Sequence, residues 1–261
     1  MILLKHELRQ GRGALSIWTA AIGMLMAVCM FLFPEMRGDM EGVTELFASM
    51  GSFTAAFGMD RLSLGTFAGF YAVECGNILG LGGAFFACLM ATAALAGEER
   101  GGTAEFLLTH PLRRARVVTE KLAAVFLQIA VLNAVLLLIL AVSAHLIGET
   151  VPWGELGRLH LAHFLLQLEL ACICFGLGAF LRRGGAGIGI GLAAFMYFFN
   201  IMANISDQTA FLKYITPYAY ADGADIVTTG SLNGKLILLG ALYAALGITA
   251  AYWQYTRKDI R

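Results

Sequence analysis

The chain has 261 residues, of which 59% are hydrophobic and 14% charged, with a mean hydropathy of +0.74. A water-soluble domain of this length cannot bury so much apolar surface, because its surface-to-volume ratio leaves too much of it facing water. Acidic and basic residues balance at 18 each, which removes the electrostatic case for a nucleic-acid partner.

Lys5, Arg9 and Arg12 open the chain, with Leu4 and Leu8 four residues apart. In a helix the leucines share one face and the cations a neighbouring one. That predicts an amphipathic helix lying on the membrane surface before it turns into a first span. The apolar run over residues 14–33 is too long for a secretory signal core. It ends in Phe-Pro-Glu-Met rather than in small residues, so it reads as a retained span. Five further runs reach the roughly 20 residues that cross a bilayer as helix. They cover residues 67–96, 117–147, 159–181, 186–205 and 236–255. The second and third runs exceed a perpendicular crossing and must tilt or extend into the interfaces. The fold class expected is an all-α integral membrane protein with six transmembrane helices, one domain over residues 1–261.

Lys and Arg orient these spans. One side receives Lys5, Arg9 and Arg12, then Arg100, Arg113, Arg114, Arg116 and Lys121, then Arg182 and Arg183, then Arg257, Lys258 and Arg261. The other receives only Arg37, Arg61, Arg158, Lys213 and Lys235. Loops rich in Lys and Arg stay cytoplasmic, so both termini are expected inside the cell, in the plasma (inner) membrane. Of the outer segments, residues 34–64 carry Leu46, Phe47, Met50, Phe53 and Phe57 and suggest short amphipathic helix at the interface. Residues 206–234 hold Tyr214, Pro217, Tyr218 and Tyr220, an aromatic group suited to a headgroup belt.

Catalytic signatures fail against the letters. The segment GSLNGKL at residues 230–236 lacks the first glycine and the final Ser or Thr of a phosphate loop. The glycines of GAGIGIG at residues 185–191 open an apolar span with no strand before it, so Gly185/Gly189 and Gly187/Gly191 read as helix-packing pairs. Asp222 and Asp225 lack the further ligands of a metal-dependent transferase site. His145, His160 and His163 read better as interfacial polar residues than as haem or copper ligands. Cys29, Cys75, Cys88, Cys172 and Cys174 show no metal or disulfide spacing and read as small apolar residues. No metal and no bound cofactor is expected in this chain.

The intramembrane polar residues are Asn77, Gln128, Asn133, Gln167, Glu169 and Asn200. An acid in mid-membrane costs about 2.5–3.5 kcal/mol on insertion scales. Glu169 should therefore face protein or a watery cavity. Two readings stay open: with Asn133 and Asn200 it marks a transport path or a subunit interface, or it is a protonated acid bonding a neighbouring helix.

Residues 98–121 read EERGGTAEFLLTHPLRRARVVTEK, a charged interruption between two long spans. Gly101 and Gly102 can end the second span. Phe106, Leu107 and Leu108 give one or two amphipathic turns, and Pro111 blocks a continuous helix. The residues alone predict a short helix at the cytoplasmic surface. The order Glu99, Gly102, Thr103, Glu105, Leu107, Leu108, Pro111, Arg114, followed by Lys121, resembles the signature of type-2 ABC transporter permeases. The basic amphipathic start, the six spans and the long outer segment after the first span agree with that family, whose short members carry no fused ATPase.

The resemblance implies a mechanism. Residues 98–111 would be a coupling helix docking on a separate cytoplasmic ABC ATPase, with Glu98, Glu99, Arg100, Gly102, Thr103, Glu105, Leu107, Leu108, Pro111 and Arg114 as the coupling residues. Two ATPases, which bind ATP and Mg, would join two permeases, expected as a homodimer, in an exporter. This chain would itself be no enzyme. Two other readings stay open: a proton-coupled secondary transporter using Glu169, and an assembly or immunity factor built on the same fold.

Overall fold

The computed structural model describes residues 2–38, 51–101, 113–181 and 185–257, and among these there is no strand. Six helices are long and apolar enough to cross a membrane. They are α1 (Ile2–Arg37), α3 (Phe67–Gly101), α4 (Arg114–Leu146), α5 (Trp153–Phe180), α6 (Ala186–Ile205) and α8 (Gly234–Arg257). Two short helices also lie among the described residues, α2 (Ser52–Ala56) and α7 (Gly223–Thr229). The last five long helices begin and end within a few residues of the apolar runs that predict them, because in hydrocarbon only a helix satisfies every backbone group within its own segment.

The first helix differs from expectation. The amphipathic opening and the first span form one helix of 36 residues, with no break near residue 13. At 1.5 Å per residue that is about 54 Å, well beyond a hydrocarbon core of about 30 Å. The continuity has a cause in packing. Gly11 lies against Gln128 of α4, so closely that a Cβ there would collide with the amide. Further along, Ile22, Met26, Met30 and Phe33 form a buried stripe at helical spacing, while Ile17, Met24, Leu25 and Val28 face outward.

α3 and α5 form the centre of the bundle and are its most buried spans, whereas α8 is the least buried. α1 packs on α4, α6 on α3, and α8 on α5. Small residues set the closest approaches. A Cβ on Gly176 of α5 would lie 2.5 Å from the Gly247 carbonyl oxygen of α8, so the two backbones touch. Gly185 and Gly189 pack on α3, at Thr92 and at the Cys88 carbonyl. A Cβ on Gly187 or Gly191 would meet nothing within 4 Å, so only one of the two expected packing pairs packs. The reason is rotational: residues two apart lie on different faces of a helix. Leu238, Leu242, Leu246 and Trp253 leave a broad apolar face of α8 exposed, as lipid contact requires.

The start of α1 and the end of α8 lie at one end of the bundle. The Leu4 backbone N–H donates to Glu120 (3.1 Å), and Arg114 donates to the Thr256 carbonyl (3.3 Å), so the start of α4 touches α1 and α8 together. The distal end carries the connection from α6 to α8. It runs through two 3-10 turns, Asp207–Tyr214 and Pro217–Tyr220, and then α7. Thr216 caps the second turn by accepting from the Tyr218 N–H (3.3 Å), and Pro217 follows with its φ already set. The turn directs Tyr218 and Tyr220 into the protein, where each is 4% exposed. The aromatic belt expected here therefore reduces to the exposed Tyr214.

Candidate functional site

At the terminal end, the charged stretch lies partly outside the described residues. Glu98, Glu99 and Arg100 belong to the last turns of α3. The expected coupling residues Gly102, Thr103, Glu105, Leu107, Leu108 and Pro111 lie outside the described residues. The described residues that follow them begin at Arg113, and α4 starts at Arg114 beside the described ends of α1 and α8.

Lys121 is 2% exposed, and its Nζ meets Glu7 Oε1 at 2.7 Å. Beside this pair, Arg116 Nε donates to Glu120 Oε1 (2.9 Å), and Gln128 donates to the Glu7 carbonyl (3.4 Å). On the other flank, the hydroxyls of Thr119 and Tyr252 lie 2.7 Å apart. The first two turns of α4 thus clasp the amphipathic start of α1 and the last turns of α8.

The three polar residues singled out within the spans occupy different settings. Glu169 is buried, and Tyr220 Oη donates to its Oε2 (2.9 Å). Burial, with the Glu169 carboxyl beside it, pushes the Tyr220 phenol above its ordinary value, so it remains a donor. Gly240 of α8 faces the same carboxyl, and any Cβ there would collide with it. Counted along α5, Glu169 is mid-helix; measured against α8, it lies within two turns of the distal end. Asn133 Nδ2 donates to the Ile129 carbonyl (2.9 Å) and to Gln167 Oε1 (2.6 Å), which ties α4 to α5. Asn200 is 8% exposed and lines a cavity in the distal half together with Asn77 and His163.

His160 and His163, expected at an interface, are buried at 6% and 4% exposure. His160 Nε2 lies 2.7 Å from Tyr71 Oη, with the rings stacked, and His163 Nδ1 lies 2.9 Å from the Leu159 carbonyl. Inward packing of α5 against α3 carries them off the surface. Among the described residues no group of three or more His, Cys, Asp or Glu could hold a metal ion.

The distal end holds a feature that sequence reasoning missed. Arg61 pairs with Asp225, with Asp222 (3.3 Å) and with Asp60 (3.8 Å). Burial works against the guanidinium charge, but Asp222, Asp225 and Asp60 together hold its pKa above the ordinary arginine value. Asp222 also accepts from Asn204 Nδ2 (2.9 Å) and caps α7 through the Asp225 N–H (3.1 Å). The two aspartates without metal ligands are thus anchors between distal segments. Their spacing was visible in the sequence, but the partner 161 residues away was not.

The arrangement is a helical membrane bundle with a basic, interlocked terminal end and a polar, partly hollow distal half. A family model described as ABC-2 family transporter protein matches residues 1–260. The chain belongs to the ABC-2 transporter family. Members of this family are membrane subunits of transporters, and the six apolar helices of this one agree with that role. Comparison with curated proteins returns no match.

Proposed function

We propose that this ABC-2 family chain is the membrane-spanning permease of an ATP-driven exporter, working with a separate cytoplasmic ATPase. In this reading residues 98–111 dock on the ATPase, and two permeases, paired as a homodimer, enclose the path. The observation that supports it is a coincidence of position. The stretch resembling the family signature leaves α3 and rejoins α4 at the end of the bundle where α1, α4 and α8 are locked together. A push on the start of α4 is delivered to three helices at once.

The test is reconstitution with the ATPase that co-purifies in mild detergent. Replacing Leu107 and Leu108 by Ala removes the apolar contact that a docking helix needs. The expected outcome is that ATP hydrolysis persists in the ATPase while transport falls at least about tenfold, the effect of losing an interface anchor worth ~1.4 kcal/mol or more. Full transport by the double variant would sink the coupling assignment. Transport by the permease alone, without any ATPase, would favour the proton-coupled reading based on Glu169.

A further inference from the structure

Arg37, Arg61, Arg116 and Lys121 each pair with a carboxylate. Lys5, Arg9 and Arg12 do not: all three are exposed, and among the described residues no carboxylate lies within ion-pair distance of them. They stand four and three residues apart, so they share one face of the first turns of α1. The one acid in this part of the sequence is Glu7, and it is turned to Lys121 of α4 (2.7 Å). Glu120, which α4 brings to the Leu4 N–H, is taken by Arg116 (2.9 Å). Three like charges in a row repel one another, so this face favours an anion from outside the chain.

The continuation of the helix says which anion. α1 runs on without a break, so the row leads straight into the membrane. Steps of four residues carry it from Arg12 through Ser16 and Ala20 to Met24, and every one of these positions is exposed. Met24 is 65% exposed and Val28, one step further, 50%. The line of exposed side chains is thus cationic at the terminal end and apolar beyond it. A phospholipid has the same two halves in the same order. From residue 14, where the apolar run begins, Arg12 lies about 3 Å along the axis, Arg9 about 8 Å and Lys5 about 14 Å. The headgroup layer is about 5–8 Å deep. Lys and Arg stems extend several ångströms along a helix, so all three charges reach that layer. An arginine fork bonds two phosphate oxygens at once, and a lysine adds a point charge. Choline and ethanolamine heads carry an ammonium beside the phosphate, which three cations repel. A head without one, such as glycerol, leaves a net negative charge that they favour.

We infer that the exposed face of α1 from Lys5 to Met24 is a binding site for an anionic phospholipid in the leaflet at the terminal end. Arg9 and Arg12 hold the phosphate, Lys5 holds the outer edge of the head, and an acyl chain lies along Ala20 and Met24. The Glu7–Lys121 pair fixes one side of these turns to α4, and the lipid occupies the other. The site goes beyond the transport reading and does not depend on it, since no ATPase enters its test.

The full chain in a neutral detergent is titrated with phosphatidylglycerol or with phosphatidylcholine of the same acyl chains, and native mass spectrometry reads the bound lipid. Phosphatidylglycerol is expected to bind at least about tenfold more tightly. Lys5→Gln, Arg9→Gln and Arg12→Gln should each weaken it about fivefold, the effect of one cation beside an anionic lipid. Together they should bring it to the level of phosphatidylcholine. A control that removes equal charge elsewhere, Lys213→Gln with Lys235→Gln and Arg257→Gln, should leave the preference intact. Equal loss in the two triple variants overturns the site, because net charge alone then sets the binding. So does equal affinity of the unaltered chain for the two lipids. Inorganic phosphate in large excess should not displace the lipid; displacement would show that the cations take phosphate without the acyl chain. Unchanged phosphatidylglycerol binding in the Lys5, Arg9 and Arg12 variants also overturns the site and leaves this face to a protein partner. Should the triple variant fail to fold, the three single variants still decide.

Discussion

Lys121 shows how one residue can belong to a recognisable stretch and still do something the stretch does not announce. It closes the stretch that resembles the family signature, and its ammonium is buried against Glu7 from the start of the chain. The pair holds the amphipathic turns of α1 along α4 and so explains why α1 runs on without a break. Glu7→Met or Lys121→Met alone should cost about 3–5 kcal/mol, the usual cost of breaking a buried ion pair from one side. Combining them should recover most of that loss, because an apolar replacement of a whole buried pair is often neutral. Equilibrium unfolding in detergent measures the cycle. A double variant as unstable as the sum of the singles would show that each side chain acts through other contacts.

Among elements, the glycines of α6 separate what periodicity reveals from what it conceals. GAGIGIG shows two pairs at the same four-residue spacing, and the spacing alone cannot rank them. Packing does: Gly189 lies on the α3 backbone near Cys88, and Gly187 faces outward. Gly189→Val should therefore destabilise the bundle by about 1–3 kcal/mol through overpacking, while Gly187→Val should change stability little. Thermal unfolding of the two variants checks this, and equal effects would contradict the α3–α6 contact. The long helices were legible because a bilayer demands runs of a fixed length, and every run that meets the length became a helix. The segment between α6 and α8 was not legible. Tyr218 and Tyr220 suit a headgroup belt and a protein interior equally well by composition, and only the turn set by Thr216 and Pro217 decides between them. Glu169 was correctly read as protein-facing, since lipid would not accept it, but its partner Tyr220 came from that unreadable segment. The ties at Arg61 and Lys121 join residues more than a hundred positions apart, a distance over which no local pattern carries information.

For the whole molecule, the two ends of the bundle have opposite characters, and this bears on orientation. The terminal end collects Lys5, Arg9, Arg12, Arg113, Arg114, Arg116 and Lys121 near one another in the fold, since α1, α4 and α8 meet there. The distal end carries few cations and a cluster in which Asp60, Asp222 and Asp225 outnumber Arg61. Insertion retains Lys- and Arg-rich segments in the cytoplasm, so the terminal end should face inward and the aspartate cluster outward. The five cysteines are all free, and replacing them by Ala leaves a background for single probes. Gln208 at the distal end and Arg257 at the terminal end are both exposed. A cysteine placed by Gln208→Cys should react with a membrane-impermeant maleimide on intact cells. One placed by Arg257→Cys should react only after the membrane is permeabilised. The reverse pattern would turn the bundle over and move residues 98–111 out of reach of any cytoplasmic ATPase. Labelling thus bears on the proposed coupling as directly as it does on topology.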